Sequence, residues 1–202
     1  MIELNKIHNC DCLEFMKTLP DKCIDLVLTD PPYRDEEDNQ PTQDMRKNGG
    51  MKDFGGKLTL EQFNEMVRIS KHQIIWGCNN FDFLPAYKGF LVWQKHIPED
   101  FTMSMAELAY ISESLTTISK VFKFPSNSET RFHPTQKPIE LMKWCLEKYS
   151  EEGQIILDCF AGGGSTLIAC KLLKRNYIGC EISADYCKII QDRLDKMTQQ
   201  LF

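Results

Sequence analysis

The sequence predicts an α/β fold in which a mostly parallel sheet is covered by helices on both faces, within one domain. Three observations carry this reading. Short apolar runs closed by turn residues recur along the chain, as buried parallel strands require. Toward the C-terminus such runs alternate with amphipathic helical segments, the pattern of β-α-β units. With 202 residues, 42% hydrophobic and 26% charged, the chain is long enough for one well-buried domain and short for two.

Taken in order, residues 4–12 read as a short strand and turn, and 13–19 as an amphipathic segment carrying Phe15 and Met16. Residues 23–29 form an apolar run, and the turn signal Asp30-Pro31-Pro32-Tyr33 ends it, which predicts a buried strand. Periodicity is lost over 34–58, where acids, glycines and the basic residues Arg34, Arg46, Lys47, Lys52 and Lys57 mix. A stretch of that length is expected to be a mobile loop, either plainly solvated or a lid over a ligand. Thr59-Leu60-Glu61-Gln62 matches a capping box, and Leu60, Phe63, Met66, Val67 and Ser70 trace one helical face. Strands are expected at 73–78, 89–94 and 106–112. Residues 113–132 carry no clear pattern apart from a short strand at 121–124. Pro138 suits the first position of a helix whose apolar face is Ile139, Met142, Cys145, Leu146 and Tyr149. A strand at 154–158, a glycine-rich turn, a helix at 165–173, a strand at 177–181 and a helix at 184–197 complete the chain. Ile189, Ile190, Leu194 and Met197 supply the inner face of the last helix.

Composition narrows the function classes. No apolar run approaches membrane-spanning length, and Met1-Ile2-Glu3-Leu4-Asn5-Lys6 lacks a basic-then-apolar export signal, so a cytoplasmic protein with no membrane partner is expected. Nine cysteines, an odd number without any C-x-x-C pair, fit reduced and partly buried thiols. His8, Cys10, Asp11 and Cys12 are ligand types, but nothing else has matching spacing for a four-coordinate zinc, so they read as strand and turn residues and no metal is expected. The net charge of −5 is unlike the basic surface of most nucleic-acid binders, so contact with phosphates would have to come from a local face.

The turn Asp158-Cys159-Phe160-Ala161-Gly162-Gly163-Gly164-Ser165 lies between a strand and a helix, and its glycines let a backbone approach a ligand closely. It is not the dinucleotide fingerprint, because Leu167 stands where a match from Gly162 needs a third glycine. A purely structural turn would also use these residues. Glu181, at the end of the next strand and 23 residues after Asp158, tips the balance toward a ligand. An acid at that place in nucleoside-binding folds accepts hydrogen bonds from ribose hydroxyls.

Phe160-x-Gly162-x-Gly164 followed by Gly179-Cys180-Glu181 resembles the cofactor motif of the amino-group DNA methyltransferases. These enzymes transfer methyl from S-adenosylmethionine to adenine N6 or cytosine N4. The resemblance implies that Phe160 packs by the cofactor, that Gly162 and Gly164 line its methionine portion and that Glu181 holds its ribose. It also places Asp158, Ala161, Ser165 and Thr166 of the same turn in the cofactor site. The fold it implies is a Rossmann-like S-adenosylmethionine-dependent methyltransferase.

Asp30-Pro31-Pro32-Tyr33 then becomes the most informative stretch. An exocyclic amine is a poor nucleophile, because its lone pair is delocalised into the ring. Acceptors that hold its N–H groups restore density to nitrogen. Asp30 offers an acceptor-only carboxylate, Pro31 and Pro32 offer carbonyls without competing N–H donors, and Tyr33 offers an aromatic face. Taken alone, the two prolines have an alternative reading as a turn that simply ends the strand. The resemblance implies that Asp30 and the Pro31 carbonyl bind the amine, beside the cofactor, while Tyr33 stacks on a base flipped out of the duplex. Nitrogen then attacks the sulfonium methyl directly, without a covalent enzyme intermediate.

The catalytic tetrapeptide precedes the glycine-rich turn, which resembles the family's beta-type motif order. That order predicts that the strands at 154–158 and 177–181 continue into the strand near 4–10, as in a circularly permuted domain. Asn9-Cys10-Asp11-Cys12-Leu13-Glu14 resembles the segment touching the cofactor's adenine, with Asp11 as side-chain partner, Cys12 beside it, and Cys10 where the family usually has glycine. His133-Pro134-Thr135-Gln136-Lys137-Pro138 resembles the segment closing over the methionine end, where Thr135, Gln136 and Lys137 offer polar groups; a bare helix-entry loop is its alternative. Residues 74–81 and 91–95 resemble small phage-type adenine members. Asp at position 30 favours adenine N6, since cytosine N4 enzymes commonly carry Ser there and Asn marks protein-glutamine enzymes. The other readings are N4-cytosine transfer and a non-catalytic binding protein on a degenerate methyltransferase fold. The expected partner is double-stranded DNA, with residues 95–132 as a small target-recognition region. The 34–58 loop as a DNA-touching lid, or a second subunit in a homodimer, would enlarge it.

Overall fold

The computed structural model describes residues 2–33, 56–126, 132–133 and 135–199. Most of the expected loop at 34–58, Pro134 and part of the 113–132 stretch lie outside the described residues. Strands β1 (Lys6–Asn9), β2 (Ile24–Thr29), β3 (Ser70–Trp76), β4 (Phe90–Gln94), β5 (Ala106–Ile111), β6 (Lys120–Lys123), β7 (Ile155–Asp158) and β8 (Asn176–Glu181) form one sheet. The helices are α1 (Cys12–Lys17), α2 (Leu60–Ile69), α3 (Ile139–Tyr149), α4 (Ser165–Leu172) and α5 (Ala184–Gln199).

The strand order is β1-β8-β7-β2-β3-β5-β4-β6. Neighbours from β1 through β3 run parallel, as expected of strands joined through helices. The expected joining of the chain's two halves is present. Lys6 pairs with Ile178 and Asn9 with Glu181, while Leu26 pairs with Ile156. Beyond β3 the sheet turns antiparallel through β5 and β4, where only a short 3-10 turn at Cys78–Asn80 and no α-helix intervenes, and β6 returns parallel to β4.

The pleat sorts the core into two layers. Leu26, Leu28, Ile74, Trp76 and Ile156 pack with α3, α4 and α5 through residues such as Leu146, Leu167 and Leu194. Val27, Ile75, Leu157 and Ile178 point the other way, against Met16 of α1 and Phe63, Met66 and Ile69 of α2. All nine cysteines are free thiols, six of them buried.

The α2 capping box forms as read: Gln62 N–H donates to Thr59 Oγ1 at 3.2 Å and Thr59 N–H donates to Gln62 Oε1 at 2.9 Å. The helix face differs from the expected one. Phe63, Met66 and Ile69 are buried, whereas Leu60 is 51% exposed and Val67 36%. Ser70 has left the helix, because its extended backbone pairs with Ile24 as the first residue of β3. Pro138 caps α3 from the position before its first turn rather than occupying it.

Leu28 is fully buried at the sheet centre. Leu28→Ala should cost about 2–5 kcal/mol in urea denaturation; a cost below about 1 kcal/mol would mean that the two halves are not packed as described.

Candidate active site

The carboxyl ends of the central parallel strands carry the site, the edge where open α/β sheets bind ligands. β7 ends at Asp158 and β8 at Glu181, while Asp30 follows the last residue of β2. Asp158 is buried and bonded on one side to β2: Thr29 Oγ1 donates to its Oδ1 at 2.7 Å, and the Phe160 N–H donates to the same oxygen at 3.1 Å. Burial pushes the Asp158 carboxyl up to about 6 despite these donors.

The glycine-rich turn is folded tightly against β8. The Ala161 N–H donates to the Cys180 carbonyl at 2.9 Å, and the Gly164 N–H to the Ala161 carbonyl at 2.7 Å. Gly162 (φ 49°) and Gly164 (φ 80°) hold left-handed backbone that side-chain-bearing residues rarely adopt. Glu181 is oriented by the same turn: the Gly162 N–H donates to one carboxylate oxygen at 2.9 Å and the Ser183 N–H to the other at 2.8 Å. Burial raises its carboxyl above the ordinary range. Asn9 Nδ2 donates to the Glu181 carbonyl at 3.0 Å, which brings the β1 end beside it. Asp11 there caps α1, its Oδ1 accepting from the N–H groups of Leu13 and Glu14 at 2.8 and 3.1 Å. Cys12 is buried, its sulfur 3.7 Å from Gln62 Nε2.

The segment before α3 lies across the turn. Ser165 Oγ donates to the Lys137 carbonyl at 2.6 Å, and a Cβ on Gly163 would sit 2.5 Å from Gln136 Oε1. Between them opens a solvent-connected cleft with about 340 Å³ of empty space, whose lining includes Asp30, Thr135, Gln136, Asp158, Phe160 and Gly162. Thr166 also faces it. His133 is packed against Tyr186, with ring centres 4.5 Å apart, and burial lowers its pKa to about 4, so it is neutral.

At the head of the cleft sits a buried charge cluster. Lys137 Nζ lies 2.5 Å from Asp30 Oδ2 and 2.9 Å from Glu107 Oε2, and donates to the Tyr33 hydroxyl at 2.7 Å. Tyr33 in turn donates to Asp30 Oδ1 at 3.0 Å. Lys95 pairs with the other Glu107 oxygen. Burial works against the Lys137 charge, but Asp30, Tyr33 and Glu107 outweigh it and hold its pKa well above the ordinary value. Burial would raise Glu107, yet Lys137 and Lys95 bring it below the usual range. Asp30 stays above that range, because burial and the Glu107 charge outweigh Lys137. Tyr33 is seated over Gly77, where any Cβ would come within 2.4 Å of its ring.

The structure thus gathers Asp30, Tyr33, Lys137, Asp158, residues 160–166 and Glu181 along one edge. Pro31 and Pro32 link Asp30 to Tyr33, and the Pro32 carbonyl accepts from the Leu58 N–H at 3.4 Å. Lys137, expected to serve the cofactor's amino-acid end, has its ammonium committed to Asp30, Tyr33 and Glu107. Sequence reading missed Glu107, Lys95 and Gly77. The available signals were a carboxylate inside an apolar strand run and a lysine at the end of another.

A glycine turn, a ribose-type acid and an Asp-Pro-Pro-Tyr carboxylate on one permuted α/β sheet define an amino-group methyltransferase of nucleic acid. The family model described as DNA methylase, covering N6 and N4 methyltransferases, matches residues 70–192. A protein of Escherichia coli (strain K12) named YubD and described as a methylase is 30% identical, over 91% of this chain and 87% of its own length. The type II methyltransferase M.HpaI of Haemophilus parainfluenzae is 26% identical over 92% of this chain and 72% of its own. Among solved structures, the M1.HpyAVI–SAM complex superposes with a TM-score of 0.60 at 24% identity, covering 93% of this chain and 98% of that one. The cytosine-N4-specific PvuII DNA methyltransferase gives 0.65 at 13% identity, over 92% and 84%. The chain belongs to the N6/N4 amino-group DNA methyltransferase family.

The raised Asp158 pKa makes a stability prediction. The folded state binds this proton more tightly than the unfolded chain, so the contribution is full at low pH and is lost as pH rises through about 6. Asp158→Asn should remove a decline on the order of 2 kcal/mol in unfolding free energy across that window. Parallel curves for variant and parent, measured by urea denaturation at several pH values, would contradict the assignment.

Proposed function

We propose that this DNA methyltransferase transfers methyl from S-adenosylmethionine to the N6 amino group of adenine, on a base flipped out of double-stranded DNA. The observation that carries the reading is the Asp30 carboxylate, held at the head of the cleft within 3.0 Å of the Tyr33 hydroxyl and across from the glycine turn. An aspartate there, rather than serine, supports adenine over cytosine.

The cleft fits the cofactor on its own features. The left-handed glycines at 162 and 164 hold the tight turn whose Gly162 and Gly163 line the cleft, and Glu181 keeps two oriented carboxylate oxygens with lone pairs to spare. Glu181 would accept from the ribose hydroxyls. Phe160, Ala161, Gly162 and Gly164 would line the body of the ligand, with Asp158, Ser165 and Thr166 behind them. Asp11 and Cys12 lie at the β1 end, on the adenine side. Thr135 and Gln136 offer polar groups to the amino-acid end. When bound, S-adenosylmethionine supplies an electrophilic methyl group on a sulfonium.

The chain's own work is to hold the base. Asp30 accepts an N–H of the exocyclic amine, the Pro31 carbonyl accepts the other, and both restore electron density to nitrogen. Tyr33 offers its ring to the base face, and Asp30 stays close to the developing positive charge on nitrogen. No residue is called on to form a covalent bond. Residues 95–132, which include β5 and β6, would form a small platform for reading DNA, with Phe101 and Met103 exposed on the connection from β4 to β5.

Incubation with labelled S-adenosylmethionine and mixed-sequence DNA, followed by digestion to nucleosides, should yield N6-methyladenine. N4-methylcytosine would instead establish the cytosine activity, and absence of transfer a binding protein. Asp30→Ala should lower kcat/KM by about a thousandfold or more while calorimetry shows cofactor affinity retained. Glu181→Ala should weaken cofactor binding about 10- to 100-fold; an unchanged Kd would remove Glu181 from the site.

A further inference from the structure

The Lys137 ammonium stands where a nitrogen donor must come. It hydrogen-bonds Asp30 Oδ2 at 2.5 Å and the Tyr33 hydroxyl at 2.7 Å, and forms an ion pair with Glu107 Oε2 at 2.9 Å without hydrogen-bond geometry. It also lies 5.4 Å from the centre of the Tyr33 ring, within cation–π range. Both Asp30 oxygens are therefore engaged, one by Tyr33 and one by Lys137. Asp30 and Lys137 line the same cleft, so a target amine reaching this carboxylate meets the Lys137 ammonium and competes with it for Asp30.

Lys137 has little freedom to leave. Its carbonyl is tied to Ser165 Oγ at 2.6 Å, and its side chain is 4% exposed. An ammonium turned away from every carboxylate in such a place would cost several kcal/mol of lost solvation. Glu107 provides the second carboxylate. It lies on β5 directly opposite Trp93, already touches Lys137 and is itself held by Lys95 on its other oxygen. Asp30, Tyr33, Glu107, Lys137 and Lys95 thus form two carboxylates and two ammonium groups around one phenol.

We infer that Glu107 is a positioning residue for methyl transfer: it retains the Lys137 ammonium when the amine of the flipped base replaces that ammonium on Asp30. The structure pairs Asp30 with a surrogate amine. The occupied site hands the surrogate to Glu107, so the acceptor is released without stranding a buried charge. The inference rests on the reading of Asp30 as the group that grips the target amine, and it holds for either adenine or cytosine.

Glu107→Gln keeps the shape and removes the charge that competes for Lys137. Lys137 should then stay on Asp30, raising KM for DNA by about tenfold or more, with cofactor Kd from calorimetry within about twofold of the parent. A merely structural ion pair would lower thermal stability, cofactor affinity and kcat together. That pattern, or a KM unchanged in Glu107→Gln, would overturn the inference. If Glu107→Gln does not fold, Glu107→Asp decides by the same ratio of KM for DNA to cofactor Kd. Asp30→Asn run in parallel separates the two levels. Full turnover there overturns the grip on the amine and the Glu107 role with it, whereas an inactive Asp30→Asn beside a normal Glu107→Gln overturns Glu107 alone.

Discussion

The parallel pairing of β2 with β7 is the constraint on which the site depends. It joins Leu26 to Ile156 and Val27 to Leu157, residues about 130 positions apart in the chain. That register, carried forward, sets Asp158 level with Leu28, and Asp30 follows two residues beyond on the neighbouring strand, so both acids reach the same cleft. The Thr29 hydroxyl on Asp158 fixes that registry with a buried hydrogen bond. A one-residue slip would turn Asp30 to the opposite face and leave Asp158 buried without its donor. β8, paired on β7 and β1, then sets Glu181 one strand further along the same edge.

Charge is managed differently at the two ends of the cleft. Around Glu181 and Asp158 the donors are backbone N–H groups and the hydroxyls of Thr29 and Thr166, neutral dipoles that orient the acids without cancelling them. Around Asp30 a phenol is joined by a full ammonium, in a cluster whose formal charges sum to zero. A carboxylate that backbone N–H groups hold at the mouth of a turn needs only orientation. A carboxylate that must stay ionised in a dry pocket needs an opposite charge within reach.

The fold was readable because its signals are local. The apolar runs at 23–29 and 154–158 and the capping box at Thr59 each announce an element within a few residues, and the motif order announced that β8 would meet β1. The face of α2 was misjudged because helical periodicity continues through Ser70, while strand pairing with Ile24, 46 residues earlier, claims that residue. The glycine turn and Asp-Pro-Pro-Tyr are contiguous and therefore visible. The Lys95–Glu107–Lys137–Asp30 chain is not, because its members come from β4, β5, the entry to α3 and the end of β2. Nothing in the spacing of 95, 107 and 137 says that they meet. Lys137 was visible as a polar group, but its direction depends on where β5 lies.

The ring of Tyr33 rests on bare backbone at Gly77, where β3 ends in a left-handed residue. Its seat is therefore machined by the main chain of a neighbouring strand and not by a side chain that evolution can trim. Substitution at 77 shifts the aromatic plane bodily, whereas substitutions at more distant walls of the cleft leave it alone. Residue 77 thus governs the position of a side chain 44 places earlier in the chain without contributing a side chain of its own.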